Sequence, residues 1–166
     1  MTEFSGPGAR LTHVDEHGAA HMVDVSGKSV SARVAVATGV LRTTPEVVEL
    51  VRSNTVTKGD ALAVARIAGI MAAKKCPDLV PLCHPIAISR VAVEFSIGES
   101  EIGIEATVAT ADRTGVEMEA LTAVAVAGLA LHDMIKSVDP AAVLDAVRVE
   151  RKEGGKTGLW VRPEER

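Results

Sequence analysis

Residues 86–111 read IAISRVAVEFSIGESEIGIEATVATA, two runs of alternating β-forming residues on either side of Gly98, Glu99 and Ser100. That alternation around a short Gly-containing connection predicts an antiparallel hairpin. Immediately before it, PLCHP (residues 81–85) is too restricted by its two prolines to be helical. Further upstream, residues 60–75, DALAVARIAGIMAAKK, predict a helix capped by Asp60 and stopped by Pro77, with Leu62, Ala65, Ile67, Ala68 and Ile70 forming its apolar face. Thr44 followed by Pro45 is a cap and first-turn pair opening a short helix that turns Val47, Val48 and Val51 inward. In residues 29–41, SVSARVAVATGVL, the residues Val30, Ala32, Val34, Val36 and Val40 share one parity, the spacing of a strand with one buried face. Downstream, residues 114–138 form the longest helical candidate, Asp139 and Pro140 break it, and residues 143–149 supply another strand. The order β, α, α, β, β, α, β predicts an α+β sandwich, an antiparallel sheet covered by helices.

A chain of 166 residues and 17.3 kDa accommodates one domain. Residues 1–10, with Gly6, Pro7 and Gly8, read as a flexible tail, and 11–166 as the domain. Residues 11–28 show little periodicity but gather His13, Asp15, Glu16, His17, His21 and Asp24, which predicts an ordered or half-ordered loop. Aromatic residues make up 2% of the chain, leaving few rings on which bases could stack, and the net charge of −4 repels polyanions. Nucleic acid and an anionic membrane surface are therefore not expected partners. The longest stretch without Asp, Glu, Lys or Arg, residues 120–132, is shorter than the ~20 residues of a membrane span, and the first residues contain no apolar leader. Two cysteines, Cys76 and Cys83, do not make a disulfide framework and point to a reduced, cytoplasmic setting.

Common chemical signatures are absent from the sequence. GGKTG (residues 154–158) resembles the end of a phosphate loop, but Glu150 stands where the leading glycine belongs. Cys83 and His84 are adjacent in an extended segment and should point to opposite sides, a poor chelating pair. The long helix is more informative, with Glu117 and Glu119 at its start and Asp133 and Lys136 at its end. These charges match the helix macrodipole, so one reading is simple end decoration. The other starts from a stripe formed by Glu119, Thr122, Val126, Ala130 and Asp133, with Lys136 three residues beyond Asp133 and able to exchange a proton with it. The fourteen residues from Glu119 to Asp133 span about 21 Å, too far for one nucleotide-sized ligand, so the two ends would serve different copies of a site shared between subunits.

Lys28, Lys58, Lys136, Lys152 and Lys156 form a second constellation. Each alone reads as a solvated surface lysine. Lys58, however, stands before Gly59 at a helix start, where a cation and free N–H groups favour phosphate. Lys152 and Lys156 flank Gly154 and Gly155 in what reads as a mobile cationic loop. His84, between Pro81 and Pro85, is either a general acid or base held in a fixed direction or a structural histidine bonded to backbone.

LTHVDEHGAAHMVDVS, KGDALAVARIAGIMAAKK, DLVPLCHP, TGVEMEALTAVAVAGLALHDMIK and GGKTG together closely resemble the molybdenum cofactor biosynthesis protein C family, the cyclic pyranopterin monophosphate synthases. The resemblance covers residues 11–158, in family order; Ala61, after KGD, departs from the bulkier residue usual there. It implies a ferredoxin-like protomer in a homo-hexamer, a trimer of dimers with active sites at the dimer interfaces. The implied activity is a lyase reaction converting 3′,8-cyclo-7,8-dihydro-GTP, supplied by a radical-SAM GTP 3′,8-cyclase, to cyclic pyranopterin monophosphate with release of pyrophosphate. By the same resemblance Asp133 is the leading acid/base, partnered by Lys136, with Lys58 also catalytic; His84, read above as a general acid or base, is expected to join them. Leu82, Cys83, His84, Met118 and Glu119 are implied to bind substrate, and Asp24, Lys28, Arg33, Glu117, Lys152 and Lys156 match further pocket positions. No cofactor or resident metal is expected, beyond Mg2+ accompanying the triphosphate. Two other classes of function fit parts of the pattern. One is a non-catalytic module sensing a nucleotide across a dimer interface, and the other is a zinc-dependent GTP cyclohydrolase using Cys76, Cys83 or a histidine.

Overall fold

In the computed structural model, which describes residues 13–15, 17–156 and 158–163, the chain runs as β1 (Ser31–Arg42), α1 (Pro45–Arg52), α2 (Ala61–Ala73), α3 (Cys76–Leu79), β2 (Ile88–Ile97), β3 (Glu101–Asp112), α4 (Glu117–Ile135), β4 (Val143–Glu153) and β5 (Trp160–Val161). The expected tail, residues 1–10, lies outside the described residues. The strands form one sheet in the order β2-β3-β1-β4-β5, with each neighbouring pair antiparallel. The hairpin is in register from Ile97 opposite Ile102 back to Ile88 opposite Thr110, with one irregularity near its open end. α4 packs across β1, β3 and β4, and α2 packs against α4 and β2. This is the expected α+β, ferredoxin-like arrangement.

Caps act where the residue types demand them. The Thr44 hydroxyl accepts from Val47 N at 3.3 Å to open α1, whose Val47, Val48 and Val51 are buried, and the Asp60 carboxylate accepts from Ala63 N at 2.9 Å to open α2. Pro77 does not stop α2, which ends at Ala73; it lies in the first turn of the short α3, where its missing N–H costs nothing. β4 runs on to Glu153, past the expected end at Val149, and the two-residue β5 extends the sheet beyond it.

The buried face of β1 is the opposite of the expected one, and that of α2 is rotated so that Ala65 stays buried, for one reason. In β1 the buried parity is Ala35, Ala37, Gly39 and Leu41, while Val34, Val36 and Val40 lie on the opposite face of the sheet. In α2 the buried stripe is Ala61, Ala65, Gly69, Ala72 and Ala73; Ile67 is 59% exposed. Leu62 and Ile70 only flank the core. In both elements the side that meets α4 carries the small residues. A Cβ on Gly39 would come within 2.7 Å of Val124 Cγ1, and one on Gly69 within 2.8 Å of the Ala123 carbonyl. Close approach therefore outweighs the burial of larger side chains. α4 is 19 residues long and apolar enough by composition to pass for a membrane span. Here it is a core helix, its Ala120, Ala123, Val124, Ala127, Gly128 and Leu131 buried in the layer between helices and sheet.

Gly69→Val should lower the free energy of unfolding by about 1–3 kcal/mol, because its side chain must displace the α4 backbone. The check is urea denaturation, with the midpoint falling at unchanged slope; an unchanged midpoint would mean that α2 and α4 are not held this closely.

Candidate active site

At the N-terminal end of α4 three stretches of chain enclose a cavity of about 370 Å³. Residues 13–28 contribute His13, Val23, Val25 and Lys28. The proline-bounded segment contributes Leu82, Cys83 and His84, and the start of α4 contributes Glu117, Met118 and Glu119. A second cavity of about 200 Å³, sharing Lys28, Gly115 and Glu117 with the first, continues past Arg33, Lys152 and Lys156. The two form one trough, whose far part carries the cations.

The described residues of 13–28 form an ordered loop, as expected. Val14 and Ala20 form a bridge, and the Asp15 carboxylate accepts from His17 N at 2.9 Å and Ala19 N at 2.8 Å. Asp24 does not line the cavities; its carboxylate accepts from Ser26 N at 2.8 Å, and that bond, with a smaller effect of His84, holds it below the ordinary carboxylate range.

Glu119 is the buried charge of the site, 3% exposed. Burial raises its carboxyl above the ordinary value, more than its own backbone N–H and the Cys76 thiol can hold it down, and Glu117 adds repulsion. Glu117 is itself paired, Oε1 lying 3.0 Å from Lys152 Nζ. Cys76 is fully buried, receives the Thr122 hydroxyl at 3.6 Å, and is pushed up to about 12 by burial. Cys83 is also raised by burial. Cys83 faces Cys76 and Glu119 while His84 faces Asp24, yet both reach the same cavity, contrary to the expectation from strict alternation.

The far end of α4 holds a different cluster. Asp133 Oδ1 lies 2.7 Å from Lys136 Nζ, and Oδ2 lies 3.0 Å from Lys58 Nζ. Lys58 also donates to the Asp133 main-chain carbonyl. Hydrogen bonds from Lys136 first and Lys58 second, with their charges, hold the Asp133 carboxyl down at about 2. Lys58 is thus engaged with Asp133, while the Asp60 carboxylate at the start of α2 accepts from Ala63 N. At neutral pH the free cluster is a carboxylate between two ammonium groups, so its exchangeable protons are on nitrogen.

The sequence-derived residues thus separate into two groups. Leu82, Cys83, His84, Glu117, Met118, Glu119 and Lys28 meet at one end of α4, continuous with Arg33, Lys152 and Lys156; Lys58, Asp133 and Lys136 meet at the other. The cationic segment after β4 is better seated than expected. Lys152 belongs to β4, and Gly154 and Gly155, at φ 92° and 68°, stand where a side chain would collide with the Ala32 carbonyl and the Arg33 guanidinium. Arg33 is itself fixed by the Asp112 carbonyl at 3.0 Å and the Arg113 carbonyl at 3.1 Å. His13 lines the cavity although nothing in the sequence distinguishes it from His17 and His21 beside it.

A family model described as the MoaC family matches residues 22–155. The cyclic pyranopterin monophosphate synthase of Streptomyces coelicolor is 61% identical over 156 residues, covering 94% of this chain and 92% of that protein. Cyclic pyranopterin monophosphate synthase 2 of Mycobacterium tuberculosis (strain H37Rv) is 59% identical over 152 residues, covering 92% of this chain and 91% of its own. The synthase of Corynebacterium glutamicum (strain R) is 54% identical over 152 residues, covering 92% and 97%.

Because its value in the folded chain is depressed, the Asp133 carboxyl contributes stability that is present above its ordinary 3.8 and lost as the pH falls toward about 2. Carboxyl NMR titration should place its midpoint well below 3.8, and Lys136→Met should move it back up. A wild-type midpoint at 3.8 would dissolve the cluster as described.

Proposed function

The chain belongs to the MoaC family, and on that premise we propose that it catalyses the reaction for which its relatives are named, forming cyclic pyranopterin monophosphate early in molybdenum cofactor biosynthesis. The substrate on this reading is 3′,8-cyclo-7,8-dihydro-GTP, handed on by a radical-SAM GTP 3′,8-cyclase in the cytoplasm, and pyrophosphate is released. The observation that carries it is the distribution of charge along the trough at the start of α4. A trough with buried and half-buried carboxylates, leading into a run of cations, suits a heterocycle rich in N–H donors joined to a polyphosphate.

Chemically, a sugar hydroxyl attacks the α-phosphate, its proton goes to a base, and the bond to the pyrophosphate breaks. Cations must neutralise the oxyanion and the departing group. Lys28, Arg33, Lys152 and Lys156 supply them along the trough. Glu119 and Glu117 accept from ring N–H groups, and His84 is placed to move a proton. Lys58, Asp133 and Lys136 form the second proton-exchange centre. When ligand phosphates draw the two ammonium groups away, Asp133 loses the partners that hold its proton affinity down, and that affinity rises toward the ordinary carboxylate value. No resident metal is needed on this reading; Mg2+ would arrive with the triphosphate.

In one chain the two clusters are separated by the length of α4, about 21 Å from Glu119 to Asp133. We therefore assign each complete site to two copies, the start of α4 from one and its end from the other, within the homo-hexamer of three dimers. Asp133→Ala and Lys136→Ala should each abolish pyrophosphate release from the cyclised substrate while leaving the oligomer assembled. Lys58→Ala and His84→Ala chains, each inactive alone, should recover about one quarter of wild-type activity when refolded together in equal amounts, since half the dimers are mixed and one of their two sites is intact. Absence of recovery in demonstrably mixed oligomers would confine the site to a single chain. No pyrophosphate or pterin product from the wild type would favour a nucleotide-sensing module.

A further inference from the structure

We propose that His13 is a further substrate-contacting residue, its imidazole accepting a hydrogen bond from an N–H or O–H group of the ligand in the cavity beside α4; this rests on the reading of that cavity as the substrate site. His13 lines the cavity together with His84 and Glu119, and its place there is set by backbone. The His21 N–H donates to the His13 carbonyl at 3.0 Å, next to the Val14–Ala20 bridge, and Asp15 and Gly18 (φ 81°) close the turn between them.

The ring's hydrogen bonding fixes its chemistry. Nδ1 lies 3.3 Å from the His21 carbonyl oxygen. A carbonyl can only accept, so Nδ1 carries the hydrogen, and in the neutral ring Nε2 is left as an acceptor. The described residues of the 13–21 hairpin are all exposed, so the imidazole fills no core. Its setting is that of a group awaiting a partner. Other groups on this cavity able to accept are the carboxylates of Glu117 and Glu119 at the start of α4, the Thr114 hydroxyl just before it, and the His84 imidazole from the proline-bounded segment. His13 adds an acceptor from the wall formed by residues 13–28, apart from both α4 and the proline-bounded segment. A planar heterocycle with N–H donors on more than one edge, or a heterocycle and a sugar hydroxyl, would use acceptors on more than one wall.

The test is steady-state turnover of 3′,8-cyclo-7,8-dihydro-GTP, followed as pyrophosphate, with an NMR titration of the His13 ring proton. That signal is assigned by its loss in His13→Ala. His13→Ala should raise KM about ten-fold or more with kcat within about three-fold of wild type, the effect of one lost hydrogen bond on binding. His13→Gln, whose amide oxygen can take the place of Nε2, should recover most of the loss. His17→Ala, on the same hairpin but not among the cavity-lining residues, should behave as wild type. An unchanged KM in His13→Ala, a loss in kcat alone, or a Gln variant as impaired as Ala would overturn the proposal. Should the wild type release no pyrophosphate, the substrate reading fails. The titration, repeated with GTP, then decides the proposal by itself: movement of the His13 ring proton supports contact with a guanine-bearing ligand, and its silence while the His84 ring proton moves overturns it.

Discussion

The molecule depends on how closely α4 is held. Gly39 faces Val124, Gly69 faces the Ala123 carbonyl, and Gly128 faces Leu144, each at a distance that leaves no room for a side chain on the glycine. A helix gripped in this way from β1, α2 and β4 must be apolar through its middle, and from Ala120 to His132 it carries no Asp, Glu, Lys or Arg. Chemistry is therefore confined to its ends. The separation of the two clusters follows from the packing of the core, and the assignment of each site to two copies follows from the separation.

The two ends place carboxylates in opposite electrostatic conditions. Glu119 is buried, and the cost of ionising it there raises its proton affinity; Asp133 is exposed between two ammonium groups, and its proton affinity falls. One helix thus presents a carboxyl inclined to keep a proton and another inclined to give it up. Because the free chain holds Asp133 as an anion, its part as an acid or base depends on a ligand that competes for Lys58 and Lys136. A polyphosphate does so, and a neutral heterocycle does not.

How far these features can be read from the sequence depends on how local their causes are. The hairpin from Ile88 to Asp112, the Thr44 and Asp60 caps and the long helix are set by residues within a few positions of one another, and all are found where their patterns place them. The buried faces of β1 and α2 are not, because a valine-rich parity reads as core unless one knows that α4 lies too close to admit valine. The cluster of Lys58 with Asp133 joins positions 75 apart in sequence and has no pattern to announce it. Pairing of Lys136 with Asp133, three residues away on the same helix, is visible directly. His13 sits in a polar stretch without periodicity, so only the folding of residues 13–28 against the start of α4 sets it apart from its neighbours.

The same local physics bears on the rival readings. A zinc-dependent cyclohydrolase holding its metal through Cys76 or Cys83 would need thiolates, since the thiolate and not the thiol binds the metal. Cys76 is wholly buried, takes a hydrogen bond from Thr122 and stands at about 12; Cys83 is raised as well, with Glu119 repelling a negative charge on either sulfur. A metal could lower those values, but it would have to do so beside a carboxylate that is itself reluctant to ionise. The sensing module fails differently. It accounts for the cations of the trough, which any nucleotide polyphosphate would require, but not for a carboxylate bridged by two lysines at the far end of α4. Simple phosphate binding would be better served by Lys58 and Lys136 without an anion between them. An aspartate in that position lowers the net positive charge while keeping three proton-exchanging groups in mutual contact, an arrangement that favours proton transfer over affinity.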